Sequence, residues 1–158
     1  MKKGFAVLVL LAVCSTVSFS QLPAGKLAIS TALNNVNALG ASYAINESMR
    51  LNAGLNYQYS NSFGTTVGIG ASLWMYHPVN ENITYFYGGG ASYDHTPGGA
   101  KKILSLNLVS GAEYWFNSRF SWGAHSGLFY SSTSVPSGSA LTDYGTLGVR
   151  TTLTWWFN

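Results

Sequence analysis

Charged residues are scarce in this chain of 158 residues: Asp, Glu, Lys and Arg together make up 8% of it, against about 25% in a typical soluble domain. Hydrophobic residues reach an ordinary 47%. A soluble protein of this length needs a more charged surface, so we expect a medium other than water to cover much of this one. The net charge is +3, or +1 without Lys2 and Lys3, which lie in a segment predicted to be removed. This balance excludes a basic patch for nucleic acid.

Cysteine and long hydrophobic runs are also nearly absent. The single cysteine, Cys14, lies in the same N-terminal segment, so the remaining chain can form neither a disulfide bond nor a thiolate metal site. No later stretch has the roughly 18 consecutive apolar residues of a membrane helix. Eighteen glycines argue against helices, since each glycine inside a helix costs about 1 kcal/mol relative to alanine. Any membrane span must therefore be built from strands.

The N-terminus has the three parts of a secretory signal peptide. Two lysines precede ten apolar residues at 5–14, and the small residues Ser18 and Ser20 lie at positions −3 and −1 before Gln21. We predict a signal peptide at 1–20, cleaved between Ser20 and Gln21. The alternative is a lipoprotein signal in which Cys14 is acylated, although a bulky valine precedes this cysteine where such signals prefer a small residue. Either signal exports the chain from the cytoplasm.

The rest of the chain alternates between apolar and polar residues. From 49 to 60 every odd position is apolar or aromatic, and every even position is glycine, polar or charged. This period of two is typical of strands with one apolar face. The predicted strands cover 26–33, 36–45, 49–60, 63–76, 83–94, 104–116, 120–130 and 146–157.

The segments between these strands fall into two alternating groups, three short turns and four loops. Such alternation predicts an all-β fold, an eight-stranded antiparallel up-and-down transmembrane β-barrel domain at 21–158. The last two loops contain proline and glycine, which favours exposed, irregular chain. The predicted turns are 46–48, 78–82 and 117–119, and the predicted loops are 34–35, 61–62, 96–102 and 131–142.

Alternation alone does not distinguish a membrane barrel from a soluble one such as a lipocalin. The polar face is mostly Gly, Ser, Thr and Asn, which suits a narrow lumen better than a water-facing surface. Large rings on the apolar face form two bands, as in the aromatic girdles of outer-membrane barrels. The predicted bands are Tyr85, Tyr114, Phe116, Phe120, Trp122, Trp155 and Phe157 near the termini, and Tyr57, Tyr59, Phe63, Tyr93 and Tyr130 near the loops. The last strand is predicted to point Leu147, Val149, Thr151, Leu153, Trp155 and Phe157 outward.

Several segments resemble the small eight-stranded outer-membrane proteins of the opacity and OmpA-like barrel type. They are GAEYWF at 111–116, the turn NSR that follows it, and the terminal strand LTWWF at 153–157. The resemblance covers about 26–158 and implies a monomer in the bacterial outer membrane, in contact with lipid and lipopolysaccharide. Family members usually end on an aromatic residue that the barrel assembly machinery reads, whereas here Asn158 follows the last aromatic residue. An extracellular ligand is expected but not identified, and no nucleic-acid partner is expected.

Four ionisable residues are predicted to face the lumen: Arg50, Glu113, His125 and Arg150. If the hairpin at 117–119 pairs Phe116 with Phe120, His125 lies opposite a glycine and Glu113 lies diagonal to it on the same face. A buried charge needs a partner in any case, so we expect a structural network. An acid/base site, gated permeation and ligand contact are the alternatives.

The alternative functions are a lipid A deacylase and a narrow pore. Deacylases of this type carry His-x-Ser, whereas Ser126 follows His125 directly. A pore is disfavoured because large inward-facing residues fill a lumen that is narrow at eight strands. We therefore expect a non-enzymatic structural or surface-interaction protein, with no catalytic residue, no metal and no cofactor. The predicted lumen-filling residues are Trp74, Tyr76, Phe86, Trp115, Phe129 and Trp156.

Overall fold

The computed structural model describes residues 22–33, 38–60, 64–96, 101–135, 138 and 140–157. The predicted signal peptide and the junction between Ser20 and Gln21 lie outside these residues, as does Cys14. The described chain forms eight strands. They are β1 (Leu27–Ala32), β2 (Ala38–Asn46), β3 (Met49–Ser60), β4 (Gly64–Pro78), β5 (Ile83–Thr96), β6 (Lys101–Asn117), β7 (Phe120–Ser134) and β8 (Ala140–Trp156).

The eight strands close into a ring. Each strand pairs antiparallel with the next along the chain, and β1 pairs with β8. The contact between β1 and β8 covers Ala28–Ala32 and Thr152–Trp156, so ring closure pairs the edges of the sheet at the turn-side end of β8. The predicted all-β, eight-stranded, antiparallel up-and-down architecture is confirmed.

The strands of this barrel are staggered. If one starts at Ser30 on β1 and steps from each residue to its partner on the next strand, the path ends at Asp143 on β8. Ser30 itself pairs with Thr154, which lies eleven residues farther along β8. A closed sheet with this offset must tilt its strands relative to the barrel axis. Residues that are not direct partners in the sheet can therefore lie at the same depth in the lumen.

Three asparagines build the turns at the end of the barrel where β1 begins and β8 ends, here called the turn side. The side-chain oxygen of Asn46 accepts a hydrogen bond from the backbone amide of Ser48 at 2.8 Å, and that of Asn117 accepts one from the backbone amide of Arg119 at 2.8 Å. Asn80 binds two amides in the same way. Asparagine favours such turns because its side chain replaces a backbone acceptor. The opposite end is the loop side.

The strands extend farther toward the loop side than the alternation indicates. β7 continues to Ser134 and β8 begins at Ala140, so most of the loop predicted at 131–142 is strand. β5 and β6 likewise include both ends of the loop predicted at 96–102. Serine- and threonine-rich sequence has no apolar face, which is why the alternation is lost there although backbone pairing continues. The loops predicted at 34–35 and 61–62 lie outside the described residues.

Two bulges change the predicted register. Gly111 does lie opposite His125, but Asn117 rather than Phe116 pairs with Phe120. A second bulge lies between the pairs His125–Arg150 and Gly127–Leu147. The extra residue in β8 reverses the alternation beyond it. Leu147 consequently packs against the lumen core instead of facing outward as predicted.

Large apolar side chains cover the outer face of the barrel. All eight strands contribute exposed residues, among them Leu27, Leu39, Leu55, Ile69, Tyr93, Leu108, Leu128 and Trp155. The small apolar core lies inside the ring instead. This distribution is the reverse of that in a water-soluble globular protein.

Glycines opposite bulky lumen residues provide the space that those residues need. A Cβ atom on Gly88 would lie 2.7 Å from Cδ1 of Trp74, its cross-strand partner, and would also meet the backbone of Leu73. We therefore expect Gly88→Ala to destabilise the barrel by about 1–3 kcal/mol, the usual cost of overpacking. Equilibrium unfolding in urea after refolding into detergent micelles measures this.

Gly54 supplies the matched control for this substitution. It also faces the lumen from a strand, but the nearest atom to an added Cβ is 3.9 Å away, the carbonyl oxygen of Leu39. Gly54→Ala should therefore be neutral or slightly stabilising, because alanine restricts the unfolded chain more than glycine does. Equal losses for Gly88→Ala and Gly54→Ala would contradict the packing explanation.

Candidate functional site: the charged lumen

The turn-side half of the lumen is filled by aromatic rings. Trp74 stacks on Phe86 with ring centroids 4.6 Å apart, and Phe86 stacks in turn on Tyr76 at 5.2 Å. Trp115 and Trp156 form a second stacked pair at 6.2 Å. All five residues are buried, and their inward orientation agrees with the prediction. We call these five rings the plug.

An ion pair lies within the plug. Nη1 of Arg50 is 3.2 Å from Oε2 and 3.3 Å from Oε1 of Glu113. Each residue is only 2% exposed. The guanidinium carbon also lies over the rings of Trp74 and Trp156, at 5.2 and 5.4 Å from their centroids. The pair is therefore held in an aromatic cage that shields it from solvent.

Hydroxyl and amide groups form further hydrogen bonds with both members of the ion pair. The Tyr76 hydroxyl donates to Oε2 of Glu113 at 2.7 Å, and the Ser121 hydroxyl donates to Oε1. Nε of Arg50 donates to Asn52 at 2.6 Å, and Nη2 donates to Thr154 at 3.4 Å. A buried ion pair is tolerated when its lone pairs and protons are used in this way.

The stagger of the barrel determines which residues meet. Pairing carried across the sheet from Arg50 leads through Trp74 and Gly88 to Val109 on β6, four residues short of Glu113. The strand tilt brings Glu113 to the depth of Arg50, and ring closure brings β6 across the lumen from β3. The alternation of the sequence assigns both side chains to the lumen, but it does not determine how far the strands are offset from one another.

His125 and Arg150 lie apart from this hydrogen-bonded network. They are directly opposite each other on β7 and β8, as cross-strand partners. The imidazole of His125 packs edge-on against Trp74, with centroids 5.2 Å apart. Its Nδ1 atom is buried and has no hydrogen-bond partner among the described residues. The structure thus divides the four predicted lumen residues into an ion pair within the plug and a histidine–arginine pair at another level.

Leu22 is buried with the lumen core, a position that the sequence pattern does not indicate. It is 2% exposed and belongs to the core cluster with the plug. Backbone hydrogen bonds position the segment before β1. The amide of Gly25 donates to the carbonyl oxygen of Ala44 at 2.8 Å, and the amide of Ala44 donates to the carbonyl oxygen of Lys26 at 3.0 Å. A lone leucine before the first strand has no periodic neighbours that would indicate burial.

A cavity of about 540 Å³ occupies the lumen on the loop side of the plug. Its lining includes Arg50, Trp74, His125 and Arg150, together with small polar residues from neighbouring strands. The two halves of the lumen therefore differ: the loop-side half contains open space, and the turn-side half is packed with side chains.

No group of three or more His, Cys, Asp or Glu side chains among the described residues is arranged to hold a metal ion. Within the same residues, no helix is long and apolar enough to cross a membrane. The site consists of the enclosed ion pair, its hydroxyl and amide partners, and, on their loop side, His125 and Arg150.

Comparisons of the chain with protein-family models, curated proteins and solved structures found no match.

Proposed function

We propose that this protein is an integral β-barrel of the bacterial outer membrane with a non-enzymatic structural or surface-interaction role, of the opacity and OmpA-like type. The apolar outer face that runs round all eight strands carries this proposal. In water such a face would cost roughly 25 cal/mol for each Å² of apolar surface. In a bilayer the same face contacts lipid at no such cost, while the closed ring satisfies the backbone hydrogen bonds.

The exposed aromatic residues support the same membrane location. Exposed rings lie toward the turn side, as with Tyr85 and Trp122, and toward the loop side, as with Tyr57 and Tyr130. Two such bands mark the interfaces in membrane barrels. The predicted positions Tyr59 and Phe63 have no described side chains. Lipid and lipopolysaccharide would then surround a monomeric barrel that the outer-membrane assembly machinery inserts.

The plug favours a closed barrel over a solute pore. The Arg50–Glu113 pair, its aromatic cage and Leu22 occupy the turn-side half of the lumen. A conducting path would require this packed group to move, whereas porins keep a water-filled interior in barrels of about 16 or more strands. We therefore expect the folded protein in liposomes to give no flux of small solutes above that of empty liposomes.

A deacylase role has little support from the residue geometry. His125 faces the lumen cavity, and Ser126 follows it on the same strand, where neighbouring side chains point to opposite faces. The Ser126 hydroxyl is bonded to the Leu147 carbonyl oxygen at 2.7 Å. A serine nucleophile and its histidine base need a mutual hydrogen bond, and these two side chains point apart.

Expression of the whole chain in a Gram-negative bacterium tests the location. We expect the protein in the outer-membrane fraction, with an intact mass that begins at Gln21, and with slower gel mobility after heating because the barrel then unfolds. A chain that lacks residues 1–20 is the control and should stay in the cytoplasm. Recovery in the soluble fraction after export would refute the membrane proposal, and a mass that includes an acylated Cys14 would replace the predicted cleavage with lipidation.

A further inference from the structure

The loop-side cavity has the size and lining of a small-molecule site. Its volume of about 540 Å³ falls within the range of about 300–1,000 Å³ that is usual for ligand pockets. Trp74, one of the plug rings, also lines the cavity, and Phe129 contributes a second ring to the wall. Asparagine, serine and threonine side chains make up much of the remainder. Such a mixture of apolar rings and hydrogen-bonding groups suits a compact organic molecule.

Arg150 and Asp94 are the two charged groups of this cavity that form no ion pair among the described residues. Arg50 is engaged by Glu113 in the plug, and Asp94 accepts a hydrogen bond from Asn56 at 3.4 Å. Arg150 forms no ion pair within the part of the chain that the structure describes. Asp94 lies on β5, three strands away from Arg150 on β8. The guanidinium therefore presents positive charge to the lumen.

His125 adds a second polar group to the same wall. It lies directly opposite Arg150 in the β7–β8 ladder and is only 9% exposed, yet its Nδ1 atom lacks a partner among the described residues. A buried polar atom without a hydrogen bond is costly, and an ion or an ordered water is among the usual partners of such an atom. The geometry thus places an unpaired guanidinium and an unsatisfied imidazole side by side.

We propose that the loop-side half of the lumen binds a small organic anion, whose carboxylate or phosphate group contacts Arg150 and whose apolar part lies against Trp74 and Phe129. Guanidinium groups bind both kinds of anion through paired hydrogen bonds. The plug closes the opposite end of the lumen, so the ligand enters and leaves on the loop side. The cavity is thus a receptor site rather than part of a transport path.

Fluorine NMR of the refolded mature protein in zwitterionic detergent micelles tests this binding. The probes are 4-fluorobenzoate, 4-fluorophenyl phosphate and the uncharged 4-fluorobenzyl alcohol, each compared with empty micelles. We expect saturable line broadening for at least one of the two anions, and the stronger of them identifies the anionic group. Arg150→Gln should weaken that binding about tenfold or more, as loss of a charged hydrogen bond does.

Two further variants keep the result interpretable. Lys102→Gln removes the same charge from an exposed residue at the loop-side end of β6 and should bind like the wild type. Ser105→Trp fills the cavity without removing any charge and should abolish binding. Heat-dependent gel mobility shows whether each variant is folded.

Three results would overturn the proposal. The first is that neither anion binds to the protein more than to empty micelles. The second is that folded Arg150→Gln binds the anion as tightly as folded Lys102→Gln does. The third is that folded Ser105→Trp binds it as tightly as the wild type does. Because the measurement uses purified barrel in detergent, each of these results would leave the proposed membrane location standing.

Discussion

Replacing Glu113 with glutamine is expected to destabilise the folded barrel by about 3–5 kcal/mol, the usual cost of removing one partner from a buried ion pair. Glutamine keeps the shape of the side chain but leaves the Arg50 charge uncompensated inside the aromatic cage. It also presents an NH₂ group to one of the hydroxyl donors, Tyr76 or Ser121. Reversible urea unfolding in lipid vesicles measures the loss.

A double-mutant cycle separates the ion pair from the general cost of altering the lumen. Glu113→Gln combined with Arg50→Gln should cost clearly less than the sum of the single changes, because the first change already removes the partner charge. The same cycle with Arg150→Gln should be close to additive, since no hydrogen bond joins Glu113 and Arg150 in the described network. Glu81→Gln, at an exposed turn position, is the control for loss of a carboxylate. Coupling to Arg150 in place of Arg50 would contradict the observed pairing.

An arginine in the middle of the outer face is expected to cost a comparable amount if that face lies in lipid. Leu108 lies near the middle of β6 and is 66% exposed. In membrane barrels an arginine at the bilayer midplane costs about 2–4 kcal/mol, and the cost falls toward the interfaces. We therefore expect Leu108→Arg to lower the free energy of unfolding in vesicles by that amount.

Val79 offers a control of nearly equal exposure at a different depth. It is 64% exposed and follows β4 in a turn-side connection. Val79→Arg should cost less than about 1 kcal/mol, because the turn lies near the interface. In water the two arginines would be equally solvated, so similar small effects at both positions would refute the membrane proposal.

The sequence by itself determined the architecture of this protein to a considerable extent. Alternation over residues 49–60 assigns each side chain of β3 to one face, because successive residues of a strand point to opposite sides. The inward direction of Arg50 and Glu113 follows from the same rule, and so does the filling of the lumen by Trp74 and Tyr76. The turn-side connections also follow from local chemistry, since an asparagine can bond to amides two or three residues ahead.

The tertiary structure alone decided which lumen residues meet and where the pattern reverses. The partner of Glu113 depends on the stagger between distant strands, a property of ring closure that no local stretch of sequence encodes. Leu147 faces inward because a bulge inserts one extra residue into β8, and its apolar side chain suits either face. Leu22 is buried because it packs with the lumen core, which forms only when the ring closes. Alternation is local and assigns faces, whereas contacts across the lumen depend on the closed ring.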